Sequence, residues 1–435
     1  MDLLKNLFKG DKVIWIIFLL LCLVSIIEVF SASSTLTYKS GDHWKPITNH
    51  LILLMVGAFV VWVTHNIPCR IFKAGIILLP ISWILLLIVL GMSAINGASR
   101  WIDLGFIQFQ PSEVAKMATI ITVAFILSKL QEEEQASRKA MKYILWITGI
   151  TCGLIVSENL STAVLLAGSV FLMMFIGRVP MKQLGLLLGI GLTSMFIAFT
   201  TIKYVPDNAW DKVGLHRMVT WKERLKDHNK TNVPPAKFDI DNDAQVAHAN
   251  IAIATSNILG KGPGNSVQRD FLSQAFSDFI YAIIIEELGL IGGAFVAFLY
   301  ILLLMRIGKI ARNCDKSYYA FLVMGIGILL VSQAMFNMLV AVGILPVTGQ
   351  PLPLISKGGT STLVNCAYIG IILSISRRVY EIKQQQEEEE HSKQVQIQEA
   401  AIALLQNAAQ LGQNSQTSAT EDSTTEKQQD TLKSE

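Results

Sequence analysis

The stretch FIYAIIIEELGLIGGAFVAFLYILL, residues 279–303, decides the fold class. Its only charged residues are Glu286 and Glu287, and it exceeds the roughly 20 apolar residues that an α-helix needs to cross a bilayer. Asp278 stands directly before it. An acid at bilayer depth costs at least about 2.5 kcal/mol by insertion scales, so such acids are candidates for function. The stretch therefore predicts a membrane helix with carboxylates at its mouth and inside it.

Similar apolar blocks recur along the chain, which has 435 residues, of which 52% are hydrophobic and 16% charged. This pattern predicts an all-α polytopic membrane protein with about ten transmembrane helices. The predicted spans are 13–33, 48–66, 72–92, 112–129, 142–158, 160–177, 183–203, 279–303, 318–345 and 360–376. A large extracytoplasmic loop, residues 204–277, is expected between spans 7 and 8.

The distribution of Lys and Arg predicts the orientation. Basic residues crowd the loops on the side of the N-terminus, whereas the short loops opposite hold only Lys39, Lys45, Arg100 and Lys357. Both termini are therefore expected in the cytoplasm. This gives a cytoplasmic N-terminus (1–12), a transmembrane domain (13–378) and a cytoplasmic tail (379–435), largely disordered because its end has almost no apolar residues.

Composition argues against two classes of ligand. A net charge of +3 is too small to indicate nucleic-acid binding. The five cysteines are scattered without metal-ligand spacing, and no other metal cluster is evident.

Three segments predicted on the outer face carry more than hydropathy requires. In residues 97–118, Pro111 is suited to open a helix, and Glu113 and Lys116 share one helix face, where they form either a structural ion pair or part of a site. In residues 257–279, the glycines of GKGPG allow a positive φ and suit a loop around a polar ligand.

The third segment, residues 344–365, contains prolines that forbid a regular helix. Irregular backbone at membrane depth must be lined by protein or border a water-filled cavity. Lys357 would then face the same cavity as Asp278.

Together these segments resemble the SEDS family, the RodA/FtsW/SpoVE group of bacterial peptidoglycan polymerases. The resemblance covers roughly residues 10–378, and GNSVQ is closest to the FtsW division branch. The motifs that carry it are RWIDLGFIQFQPSEVAK (100–116), GKGPGNSVQ (260–268), SDFIYAIIIEELG (277–289) and GILPVTGQPLPLISKGG (343–359).

The resemblance implies a multi-pass protein of the bacterial inner membrane that polymerises lipid II into glycan strands by inverting glycosyl transfer. Asp278 matches the family's catalytic acid and would act as the base. Candidates for binding the substrate or its pyrophosphate are Arg100, Lys116, Lys357, Glu113 and Lys261. No resident cofactor is implied, although a divalent cation, Mg²⁺ or Mn²⁺, stays open. The implied partners are a class B penicillin-binding protein and other divisome or elongasome proteins.

The chain departs from the family pattern at several positions. Gln274 and Phe276 replace the usual Glu and His before the catalytic acid, and a second family acid aligns with Asn159, beside Glu158. Thr348 replaces a lysine common in division enzymes.

Other interpretations stay open at this point. Asp278 could simply cap the helix beginning near Phe279. Glu286 and Glu287 are expected to bond polar groups such as Asn337 or Gln333. The protein as a whole could be a lipid II flippase or a non-catalytic division scaffold instead of a polymerase.

Overall fold

The structure, a computed structural model, describes residues 9–32, 45–96, 101–103, 108–132, 135–204, 244–272 and 275–431. It comprises two compact units, Met1–Val379 and Tyr380–Glu435. The helices are α1 (Lys12–Ala32), α2 (Lys45–Asn66), a 3-10 helix (Ile71–Ile77), α3 (Leu78–Asn96), α4 (Pro111–Lys129), α5 (Arg138–Val156), α6 (Leu160–Ile176), α7 (Met181–Tyr204), α8 (Ala244–Ala254), a 3-10 turn (Gln268–Asp270), α9 (Ile280–Arg312), α10 (Ser317–Ala341) and α11 (Gly359–Thr431). Two short antiparallel strands, β1 (Ile102–Asp103) and β2 (Gln108–Phe109), precede α4.

The apolar helices agree with the hydropathy prediction. Within the described ranges, eight are long and apolar enough to cross a membrane, and Leu160–Ile176 and Met181–Ile197 are shorter apolar helices. The all-α polytopic membrane fold is thus confirmed, and Pro111 opens α4 at its first position as expected. The number of spans and the side on which each loop lies stay predictions.

Burial shows which helices form the centre of the first unit. In the most apolar stretch of each helix, 78% of the residues are buried in α11, 72% in α4 and 67% in α10, against 22% in the span Ile71–Met92. α10 packs on α4, α6 and α9, so its polar residues face other helices. This central position of α4 and α10 brings their few polar side chains to the candidate site.

Helix α9 is interrupted at Gly289, where φ is 73° and ψ is −177°. The expected span 279–303 is therefore two helical segments joined by a break. Glycine adopts this left-handed φ without the Cβ penalty that other residues incur. Backbone groups freed at a break inside an apolar region must find other partners.

The second unit, from Tyr380 onward, is helical as far as Thr431, and its side chains are mostly exposed up to Ile402. The expectation of a largely disordered tail stays a prediction. The segment contains no proline and is rich in Gln, Glu, Lys and Ala, which favour the helix even without a packed apolar face.

Candidate active site

Asp278 lies just outside the N-terminus of α9. The helix begins at Ile280, and Phe279 occupies the N-cap position with no side-chain hydrogen bond to the helix. Asp278 therefore stands one residue before the N-cap position. Its carboxylate is partly exposed and its Oδ1 accepts a 3.0 Å hydrogen bond from the Ser277 hydroxyl.

Three consecutive carbonyls hold the segment 276–278 in place. Phe276 O accepts from the Lys357 amide (2.9 Å) and Ser277 O from the Ser356 hydroxyl (2.6 Å). Asp278 O accepts from Asn337 Nδ2 (2.8 Å). The backbone that carries the acid is thus fixed between α10 and the proline-rich segment, residues 344–365.

The proline-rich segment itself is lined by protein, as predicted. Asn337 donates a second bond to Gln350 O (2.8 Å), and the Gln350 side chain donates to Thr162 Oγ1 on α6 (2.7 Å). Further carbonyls accept from three helices: Pro351 O from Gln333 (3.1 Å), Pro353 O from Tyr300, and Ile355 O from Ser25 (2.7 Å). These donors satisfy backbone that lipid could not.

Sequence reasoning did not identify Asn337 and Tyr300 as residues that hold this site. A signal was present, because an amide inside an apolar helix is costly unless it has a specific partner. Asn337 is 1% exposed, and its side chain bridges two loop carbonyls.

Lys357 lies against Phe276, two residues before Asp278, and the shared cavity stays a prediction. Its ammonium nitrogen is 5.6 Å from the centroid of the Phe276 ring, within cation–π range. The side chain is half-buried, and this burial lowers the pKa of its ammonium below the ordinary lysine value. The Lys357 ammonium therefore contacts a residue that lies two positions before the predicted base.

Glu113 and Lys116 form a buried ion pair on α4. Lys116 Nζ is 2.9 Å from Glu113 Oε1, and both side chains are almost completely inaccessible. Lys116 also donates to Gln333 Oε1 (3.1 Å), and Gln333 in turn donates to Pro351 O in the proline-rich segment. The structural interpretation of this pair holds, and its predicted part in leaving-group binding stays a prediction.

The glycine-rich loop, residues 257–268, surrounds the carboxylates of Glu286 and Glu287. Glu286 accepts from the Lys261 ammonium (2.6 Å), the Val267 and Gln268 amides (3.1 and 3.3 Å) and the Ser266 hydroxyl. Glu287 accepts from the Gly264 and Ser266 amides (2.8 and 3.2 Å) and the Ser31 hydroxyl. The polar groups bounded by this loop therefore include two protein side chains.

The prediction that Asn337 or Gln333 bonds these two acids is wrong. Those amides bond the backbone and Lys116 instead, whereas the loop reaches the acids because it enters the break at Gly289. Lys261 N donates to Glu286 O (3.0 Å) and Gly262 N to Glu287 O (2.8 Å). The break frees these two carbonyls from the helix. Because the sequence predicted one continuous helix, it did not predict that the loop amides would bond them.

Lys261 pairs with Glu286 in this arrangement, so part of its charge is already compensated, although its side chain is 28% exposed. This ion pair does not test the predicted contact of Lys261 with substrate, which stays a prediction. Arg100 and Gln274 lie outside the described residues.

Asn159 has a clear role at the start of α6. Its side-chain oxygen accepts from the Ser161 and Thr162 amides (3.1 and 3.4 Å), which makes it the N-cap. Asn and Asp cap helices about equally well. The amide can therefore replace the family's acid at this position without loss of the cap.

Among the residues with described positions, no three His, Cys, Asp or Glu side chains converge as metal ligands would. A divalent cation here would take most of its ligands from substrate phosphates and water, as Mg²⁺ commonly does.

Comparison with known proteins identifies the family. The model of the FtsW/RodA/SpoVE group, described as cell cycle protein, matches residues 11–381. The chain belongs to this family. A relative from Coxiella burnetii, named probable peptidoglycan glycosyltransferase FtsW, is 32% identical over 83% of this chain and 95% of its own length. A relative of the same name from Enterococcus hirae is 27% identical over 88% of this chain and 96% of its own length.

Solved structures share the family fold. A chain of a peptidoglycan synthase complex that coordinates polymerization and crosslinking superposes with a TM-score of 0.67 at 22% identity, covering 85% of this chain and 98% of that one. The crystal structure of the rod shape determining protein RodA from Thermus thermophilus gives a TM-score of 0.59, also at 22% identity, with 86% and 99% covered. The helical arrangement described above is therefore that of the FtsW/RodA/SpoVE fold.

Proposed function

We propose that this protein is a peptidoglycan glycosyltransferase that polymerises lipid II, with Asp278 as its general base. Family membership and the names of the relatives support the activity. The observation that carries the assignment of the base is the fixed geometry at 276–278, where three successive carbonyls are bonded to α10 and the proline-rich segment. A base held this firmly loses little entropy when the acceptor sugar arrives.

The proposed reaction is a single displacement. The 4-hydroxyl oxygen of an acceptor N-acetylglucosamine bonds to C1 of the donor N-acetylmuramic acid, and the bond from C1 to the pyrophosphate oxygen breaks. Asp278 takes the hydroxyl proton, and undecaprenyl pyrophosphate leaves with the electron pair. One inversion converts the α linkage of the donor into a β linkage. A positioned base contributes about 10²- to 10⁴-fold to such a rate.

The leaving pyrophosphate gains negative charge, and a nearby cation would stabilise it. Lys357 is the described cation best placed for this, since its amide bonds Phe276 O and its side chain lies over the Phe276 ring. Lys116 supports the site indirectly. It pairs with Glu113 and donates to Gln333, which in turn donates to Pro351 O in the proline-rich segment.

The setting of the protein follows from the same family. We propose that it lies in the bacterial inner membrane with both termini in the cytoplasm, so that Asp278 faces the outer surface. We also propose a class B penicillin-binding protein as its crosslinking partner. The solved neighbour in a complex that couples polymerization to crosslinking supports this pairing.

The test of the activity is incubation of the purified protein with labelled lipid II, alone and with a crosslinking-dead partner, followed by gel separation of the glycans. Strands with β linkages are expected. If the protein moves lipid II across vesicle membranes but yields no strands under either condition, it is a flippase. If neither activity appears, the scaffold interpretation replaces the polymerase.

A further inference from the structure

An apolar groove opens at the end of the first unit that lies opposite Asp278. It has a volume of about 590 Å³ and lies where the last turns of α6 and α9 meet the first turns of α10. Its lining includes Met305, Gly308, Ala311, Arg312, Phe321 and Met324. Arg312 is the only charged residue among those that line it.

Small residues on α9 create the space. A Cβ placed on Gly308 would meet no atom within 4 Å, so this glycine faces an opening and not a neighbouring helix. Met305, one turn earlier, is 57% exposed. The groove therefore opens outward from α9 and α10, two helices long and apolar enough to cross a membrane.

Arg312, the last residue of α9, has no hydrogen bond or ion pair to any described residue. Two described acids pair with other arginines. Asp315 binds Arg378 (2.7 Å), and Asp11 binds Arg306 on the same helix (2.6 Å). Among the residues of described position, the Arg312 cation at the end of the groove thus has no counter-ion, and it lies on the face that the distribution of Lys and Arg assigns to the cytoplasm.

We propose that this groove binds one anionic phospholipid of the cytoplasmic leaflet, with an acyl chain in the groove and the phosphate on Arg312. Basic recesses between membrane helices on the cytoplasmic side suit anionic headgroups. The volume is too small for a partner helix, because a helix about 10 Å across would fill it within roughly five residues. An acyl chain is narrow enough to occupy the whole groove.

The test uses the delipidated full chain and native mass spectrometry, with phosphatidylglycerol or phosphatidylcholine added back. The wild type is expected to retain phosphatidylglycerol more strongly. Arg312→Gln should lower its retention about fivefold, the effect expected of one basic residue near an anionic surface, without changing that of phosphatidylcholine. Gly308→Leu should abolish retention of both lipids, since its side chain enters open space and fills the groove. Lys139→Gln on α5, an exposed cation away from the groove, is the matched control and should leave retention unchanged.

A phosphatidylglycerol with a photoreactive acyl chain provides a second measurement that needs no variant. Peptides containing Met305 and Phe321 should carry the label. Equal retention of the two lipids by the wild type, unchanged retention by Arg312→Gln, or labelling confined to other helices would overturn the proposal.

Discussion

Docking of the glycine-rich loop into the α9 break predicts a large effect of Gly260→Ala. Gly260 has a φ of +75°, and an added Cβ would lie 2.3 Å from both Glu287 O and Gly289 N. Cβ atoms in real structures essentially never approach other atoms closer than 3.0 Å. Both contacting atoms belong to the backbone and cannot rotate aside, so the loop must leave the break.

The size of the effect follows from the bonds that would be lost. Lys261 N to Glu286 O (3.0 Å) and Gly262 N to Glu287 O (2.8 Å) join the loop to one side of the break. The amides of Leu290 and Ile291 on the other side donate to Asn257 O and Ile258 O (3.3 and 3.4 Å). At about 1 kcal/mol net for each bond, the loss is about 4 kcal/mol. The left-handed conformation of alanine adds about 1–2 kcal/mol.

Gly264→Ala is the matched control. Gly264 also has a positive φ, +83°, but its Cβ would meet nothing within 4 Å. This variant should lose only the conformational contribution, leaving a difference of about 4 kcal/mol between the two. Amide hydrogen exchange in micelles measures this difference directly, since Gly260→Ala should expose the amides of residues 261, 262 and 264–268. Equal exchange in the two variants would refute the docking.

Three further predictions concern individual side chains. Lys116→Met should destabilise the protein by about 3–5 kcal/mol because it leaves the buried Glu113 carboxylate unpaired, and adding Glu113→Leu should restore most of the loss in a thermal-stability assay. Burial lowers the pKa of Lys357, so its ammonium should lose its proton at a lower pH than an exposed lysine does. If glycan synthesis needs this charge, its rate should decline in that pH range, and Lys357→Arg should remove the decline. Identical pH profiles of the wild type and the variant would argue against a role for the charge. Asn159→Ala should cost about 1 kcal/mol through the lost helix cap, whereas Asn159→Asp should unfold like the wild type in the same assay.

Much of the fold could be predicted because bilayer thickness constrains sequence strongly. Apolar runs mark the helices directly, and Pro111 opens α4 as its chemistry requires. The protein-lined segment from 344 was also predictable, since prolines there exclude a helix and lipid excludes bare carbonyls.

The partners of buried polar groups were harder to predict. Glu286 and Glu287 are about 20 residues from the loop that binds them, and their pairing depends on a helix break at Gly289. One glycine in an apolar run does not reveal a positive φ. In the tail, low hydrophobicity argues against a packed core but does not exclude an exposed helix.

The most direct measurement compares the rate of glycan strand synthesis from labelled lipid II by Asp278→Asn and by Asp270→Asn, an acid eight residues earlier in the same loop that is 57% exposed. Both variants lose one negative charge, but only the first removes the proposed base. Asp278→Asn should be slower than the wild type by about 10²- to 10⁴-fold, and Asp270→Asn should retain most of the rate. Wild-type synthesis by Asp278→Asn, or an equal loss in both variants, would contradict the assignment of Asp278 as the base.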